Sequence, residues 1–136
     1  MKARELRVGN HVMHNGGWLI VENIVKESVN LRINRNAYGY SIDKWIPAGE
    51  LSPIPVTSEI LPDLGFKSFY QRFTYPCDHL HKIYIDRRSD KFFLTLNNDR
   101  FILAEIQSVH HLQNIMFDTF GIEIRLNRYR YSKYLK

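Results

Sequence analysis

Residues 6–25 read LRVGNHVMHNGGWLIVENIV, with apolar and polar residues alternating on either side of HNGG. A period of two marks a half-buried strand, and Asn15-Gly16 supplies the left-handed backbone that a two-residue hairpin loop demands. Two paired strands are therefore expected, near residues 9–14 and 18–26. Working outward, VNLRI (29–33) supplies a third strand, the turn at Gly39 leads into YSI (40–42), and ELSPIPV (50–56) returns as an extended piece. Pro53 and Pro55 lack the N–H that an inner strand needs, so this piece belongs at an edge. Four or five short strands within residues 1–56 predict a small, strongly bent sheet or barrel.

Beyond Val56 the pattern changes. Thr57 is placed to cap a helix of about two turns, Glu59 to sit in its first turn and Gly65 to end it, with Pro62 keeping it short. KSFYQRFTY (67–75), HKIYIDRR (81–88) and KFFLTLN (91–97) each alternate with a period of two, and RFILAEI (100–106) adds a strand after a turn at residues 97–99. Together they read as an antiparallel meander. SVHHLQNIMFDTFG (108–121) is the clearest helix: Ser108 can cap it, Val109, Leu112, Ile115, Met116 and Phe120 share one face, and Gly121 ends it. His110, His111, Gln113, Asn114 and Asp118 fall mostly on the other face, and IEIRL (122–126) reads as a last strand. The class is α+β: a small β-barrel over 1–56, a short linking helix, and an antiparallel sheet packed against one main helix over 57–136.

The chain has 136 residues, 44% apolar and 13% aromatic, which suffices for a packed core. Its one cysteine, Cys77, leaves no intrachain disulfide and nothing that points to an oxidising compartment. No apolar stretch is long enough for a signal peptide or a membrane span, so a soluble, cytoplasmic protein without a membrane partner is expected. The net charge of +5 is unevenly spread. Residues 122–136 carry Arg125, Arg128, Arg130, Lys133 and Lys136 against Glu123, leaving +4 there and the rest of the chain close to neutral.

That charged end, NRYRYSKYLK (127–136), interleaves Tyr129, Tyr131 and Tyr134 with Arg128, Arg130 and Lys133. Stacking rings between phosphate-pairing cations suit single-stranded nucleic acid. The same alternation suits an edge strand that packs its tyrosines inward and keeps its arginines wet. Arg125, Arg128, Tyr129, Arg130, Tyr131, Lys133 and Tyr134 are the candidate binding residues. For a metal, CDHLH (77–81) would put Cys77, His79 and His81 on one side of an extended strand, though Pro76 and Asp78 make the stretch more like a turn, and a fourth ligand must come from elsewhere. The chain has no nucleophile elbow and no phosphate-cradling glycine loop, and its acidic residues are scattered. No cofactor is expected, and catalysis, including metal-dependent hydrolysis, is the minority reading.

Two resemblances bear on these residues. LRVGNHV, followed by a hairpin and VENIV, resembles the opening of SH3-like barrels, which implies a shape and no common activity. ELRVGNHV, PIPVTSEILPDLGF and VHHLQNIMFDTFGIEI together are similar to a family of small uncharacterised proteins of Bacteroidetes genomes and their phages, over about residues 5–124. His111 stands where that family usually has Gln, and Phe120 intervenes in its Thr-Gly ending. The resemblance brings no catalytic residue or cofactor. It implies a phage or mobile-element setting, and with it the expectation of a non-catalytic binding protein whose partner is a host or phage protein, for instance a nucleic-acid-handling or defence complex that it inhibits. Direct binding of DNA or RNA by the basic end is the alternative.

Overall fold

Asn15 and Gly16 take the left-handed backbone their hairpin requires, at φ 51° and 79°. They join β1 (His11–His14) to β2 (Gly17–Val25), and β3 (Ser28–Arg35) and β4 (Tyr38–Pro47) follow in one antiparallel meander. The computed structural model describes residues 1–35, 38–76, 82–96 and 101–126. The barrel expected here is an open sheet, with β1 and β4 at opposite edges. Residues 50–56 return to β1 only through a bridge between Met13 and Ser52, and to the second half through one between Pro55 and Ser108. Pro53 and Pro55 explain why neither bridge grows into a ladder.

Thr57 Oγ1 accepts the Ile60 N–H at 3.2 Å, and α1 (Ile60–Asp63) is a single turn that ends before Gly65 at φ 101°. A second meander follows: β5 (Lys67–Phe69), β6 (Arg72–Thr74), β7 (Ile83–Arg88), β8 (Lys91–Leu96) and β9 (Phe101–Ile106). α2 (Val109–Phe120) is capped by Ser108, whose side chain accepts the His111 N–H, and closed by Gly121 at φ 68°. The α+β class is thus as expected: two antiparallel sheets and one main helix. Among the described residues no helix is long and apolar enough to cross a membrane.

Two cores result, and β2 serves both. Its alternation sends Leu19 and Val21 against Val12, Val29, Leu31 and Ile46 inside the first sheet. Trp18 and Ile20, on its other face, join Leu61, Phe73, Ile85, Leu94, Leu112, Met116 and Ile124 in the larger core. Leu61, Leu112 and Met116 are fully buried there. Truncating such a side chain to alanine typically costs about 2–5 kcal/mol.

A polar clasp holds these parts together. Gln113, on the helix face read as polar, is 1% exposed. Its Nε2 donates to the Gly9 carbonyl at 3.1 Å and the Ile124 carbonyl at 2.9 Å, and its Oε1 accepts the His11 N–H at 2.8 Å. Next to it, Asn114 donates to the Glu5 carbonyl at 3.0 Å and accepts from Asn10 at 2.8 Å. Residues 122–126, expected to be a strand, join no ladder. The segment is held instead by Gln113, by the Leu126 N–H donating to His11 Nε2 at 3.1 Å, and by Arg7 pairing with Glu123 at 2.8 Å.

Candidate functional site

Of the residues singled out in the basic end, Arg125 is exposed within the segment that the clasp holds. Arg128, Tyr129, Arg130, Tyr131, Lys133 and Tyr134 lie outside the described residues, as do Cys77, His79 and His81. Among the described residues no three His, Cys, Asp or Glu side chains gather where they could hold a metal ion. The second sheet offers a different surface.

Strand register defines that surface. Phe73, Ile85 and Leu94 lie opposite one another and face the core, so the residues between them face outward. One row on this second face runs Lys67, Thr74, Tyr84, Thr95 and Ile102, of which Thr95, at 0% exposed, is covered, and the next includes Arg72, the buried Asp86, Phe93 and Glu105. Arg88 and Lys91 complete it toward the hairpin end. Lys67, Arg88, Lys91 and Ile102 are exposed.

At its centre the Asp86 side chain, 10% exposed, takes Arg72 Nε at 2.8 Å and Nη2 at 3.4 Å, and Arg88 Nη2 approaches it at 3.7 Å. Each guanidinium also lies over a ring: Arg72 over Tyr84 at 4.5 Å and Arg88 over Phe93 at 5.7 Å. A carboxylate and a ring together orient Arg72 before any partner arrives, while Arg88, 48% exposed and 3.7 Å from the carboxylate, is steered by charge and ring without a hydrogen bond to Asp86. Arginine fixed in this way presents planar donors and a stacking face with little side-chain entropy left to lose.

At the end of the sheet Tyr70, 89% exposed, takes the first loop position of the β5–β6 hairpin with φ 57°. KSFYQRFTY reads as one strand, but the chain turns back at Tyr70 and Gln71. Left-handed backbone is unfavourable for an aromatic residue, and such strain clusters at functional positions. Tyr70 borders a cleft of about 560 Å³ with Gln71, Arg87, Ser89 and the core-facing Phe73, on the side of the sheet opposite the arginine stacks; Ser89 is also left-handed at φ 57°. Tyr70→Asn keeps a residue tolerant of that backbone and removes the ring. Its unfolding free energy should stay within about 1 kcal/mol of the wild-type value, as chemical denaturation of the two proteins would show.

A second recess of about 720 Å³ opens between the turn at Ala3–Glu5, the Pro53–Pro55 segment and the start of α2. His110 lines it, 7% exposed, with Nδ1 3.2 Å from Ser108 Oγ. Burial holds its imidazole below the ordinary pKa, Glu5 opposes this, and His111 adds to it. The unfolded chain therefore takes up this proton first as the pH falls through about 6.5, so the stability present above that value is lost on acidification. Unfolding midpoints should drop between about pH 7.5 and 5.5, with a shallower slope in His110→Gln.

Comparison with family models, with curated proteins and with solved structures finds no match to this chain. The residues of the outer face are visible in the sequence only as alternation: YIDRR and KFFLTL announce strands without saying which side meets water. The arginine stacks emerge once register pairs β6 with β7 and β7 with β8.

Proposed function

We propose that this chain acts by binding, as a non-catalytic protein that docks a partner protein on the outer face of its five-stranded sheet. The observation that carries this reading is the pair of arginines, Arg72 and Arg88, held by one carboxylate and stacked on Tyr84 and Phe93. Arginine and tyrosine dominate the few residues that supply most binding energy at protein interfaces. The kind of partner we infer, a host nucleic-acid-handling or defence complex inhibited by a phage or mobile-element protein, rests on the resemblance of the stretches ELRVGNHV and VHHLQNIMFDTFGIEI.

A tagged chain purified from host cells at physiological salt should carry one protein in stoichiometric amount, and nuclease treatment should leave it in place. Loss of the captured material on nuclease treatment would instead favour direct nucleic-acid binding, the reading supported by the +4 charge of residues 122–136. That reading requires oligonucleotide anisotropy that survives physiological salt and disappears when the chain ends at Leu126. Retention of neither protein nor nucleic acid would contradict both.

A further inference from the structure

We propose that the cleft bordered by Tyr70 and Arg87 is a binding site for a small ligand that joins a planar ring to a phosphate, of the size of a mononucleotide. It lies at the end of the second sheet, on the side opposite the arginine stacks, where the β5–β6 and β7–β8 hairpins meet residues 58–62. Its volume, about 560 Å³, falls within the roughly 300–1,000 Å³ of small-molecule sites. A smaller cleft of about 330 Å³ shares Ser58 and Arg87 with it.

Three kinds of side chain meet in the larger cleft. Arg87, half-exposed, is the one charge among the described residues that line it, so the cleft favours an anion. Ser58, Ser68, Gln71 and Ser89 add hydroxyl and amide groups that can donate to phosphate oxygens. Phe73 and Pro62 supply apolar wall, and the exposed Tyr70 ring supplies a stacking face.

Tyr70 is the unusual member. Asn15, Lys26, Tyr70 and Ser89 each open a two-residue hairpin loop in left-handed backbone. Turn geometry accounts for the backbone at all four, and Asn or Gly adopts it with less strain. It does not account for an aromatic ring at Tyr70, which the hairpin presents to the same cleft that Ser89 and Arg87 line.

Asp90 bears on the same arginine. Its fully exposed carboxylate stands 3.8 Å from Arg87 Nη2, beyond hydrogen-bonding distance. A phosphate, with a charge near −2 and oxygens that match the guanidinium fork, can displace so loose a neighbour. Glu59 and Asp90 both line the smaller cleft, which places the phosphate in the larger one.

The test is a titration of the full chain, followed by its backbone and tyrosine-ring NMR signals, with adenosine monophosphate, adenosine and sodium phosphate at matched ionic strength. The expected result is a shift at Tyr70, Gln71 and Ser89 that saturates with adenosine monophosphate in the millimolar range, at a concentration at least fivefold below that needed for either half alone. Tyr70→Asn, which keeps the hairpin, should reduce the affinity for adenosine monophosphate to that for phosphate. Arg87→Gln, a change at a half-exposed position, should reduce it to that for adenosine. Asp90→Asn should tighten binding about twofold, since it removes the competing carboxylate. Shifts that do not saturate, an adenosine monophosphate affinity that phosphate or adenosine equals, or folded Tyr70→Asn and Arg87→Gln variants that bind as the wild type does would overturn the proposal.

Discussion

Gln113→Leu is expected to lower the unfolding free energy by at least about 3 kcal/mol. Leucine nearly matches glutamine in volume, so little cavity is created. What is lost is the amide: the Gly9 and Ile124 carbonyls lose their donor and the His11 N–H loses its acceptor, at a position 1% exposed. A buried polar group stripped of its partner costs about 1–3 kcal/mol, and three are stripped here together. The loss should also be local before it is global. Hydrogen exchange at His11 and Leu126 should accelerate more than at Ile85 or Leu94, because the clasp ties residues 9–11 and 122–126 to α2 while the second sheet has its own ladder. A cost below about 1 kcal/mol would mean that water or relaxation replaces the amide.

Asp86→Ala is expected to cost about 2 kcal/mol and, at the same time, to weaken partner binding by about tenfold or more. Removing one member of a buried ion pair costs about 3–5 kcal/mol where the remaining charge is stranded. Arg72 and Arg88 are 23% and 48% exposed, so water relieves part of that penalty. The functional effect has a separate cause. Without the carboxylate the two guanidiniums lose one of the groups that orient them and regain rotamer freedom that a partner must then freeze, at about 0.5–1.5 kcal/mol each. Chemical denaturation measures the first effect and calorimetric titration with the purified partner the second. A stable variant with unchanged affinity would separate Asp86 from binding.

The parts of the fold that depend on local chemistry are legible in the amino-acid sequence. Asn15-Gly16, the Ser108 cap, the Gly121 stop and the apolar stripe Leu112–Met116 each specify one local geometry. What escapes are features fixed by tertiary partners. Gln113 has the polarity of a surface residue, and only the carbonyls of Gly9 and Ile124, distant in sequence, bring it inside. Residues 122–126 have the alternation of a strand, yet the Ile124 carbonyl and the Leu126 N–H pair with the Gln113 and His11 side chains, and the Ile122 N–H donates to the Met116 carbonyl at the end of the helix. Tyr70 lies in the middle of an alternating run and is not a usual turn residue, so the β5–β6 hairpin leaves no sequence mark. The strands of 1–56 are legible but their closure is not, because Pro53 and Pro55 limit the return of residues 50–56 to single bridges.

The outer sheet face, by contrast, is legible residue by residue and illegible as a surface. Arg72, Tyr84, Asp86, Arg88 and Phe93 come from three strands, and no spacing within one strand shows that a carboxylate will sit between two arginines. The basic end draws attention because its pattern is contiguous. A surface assembled by register has no such signature.

The binding isotherm of the partner with the wild-type chain and with Arg72→Ala/Arg88→Ala, at physiological salt, tests the central claim most directly. The double variant leaves the Asp86 carboxylate, 10% exposed, without either arginine and loses stability, so the isotherm is read at a temperature below its measured thermal transition, where the chain is folded. The account expects its affinity to fall by about 30-fold or more, the effect of losing at least one residue worth about 2 kcal/mol at an interface. An affinity within about threefold of the wild-type value, in a folded double variant, would place the partner elsewhere and contradict the account.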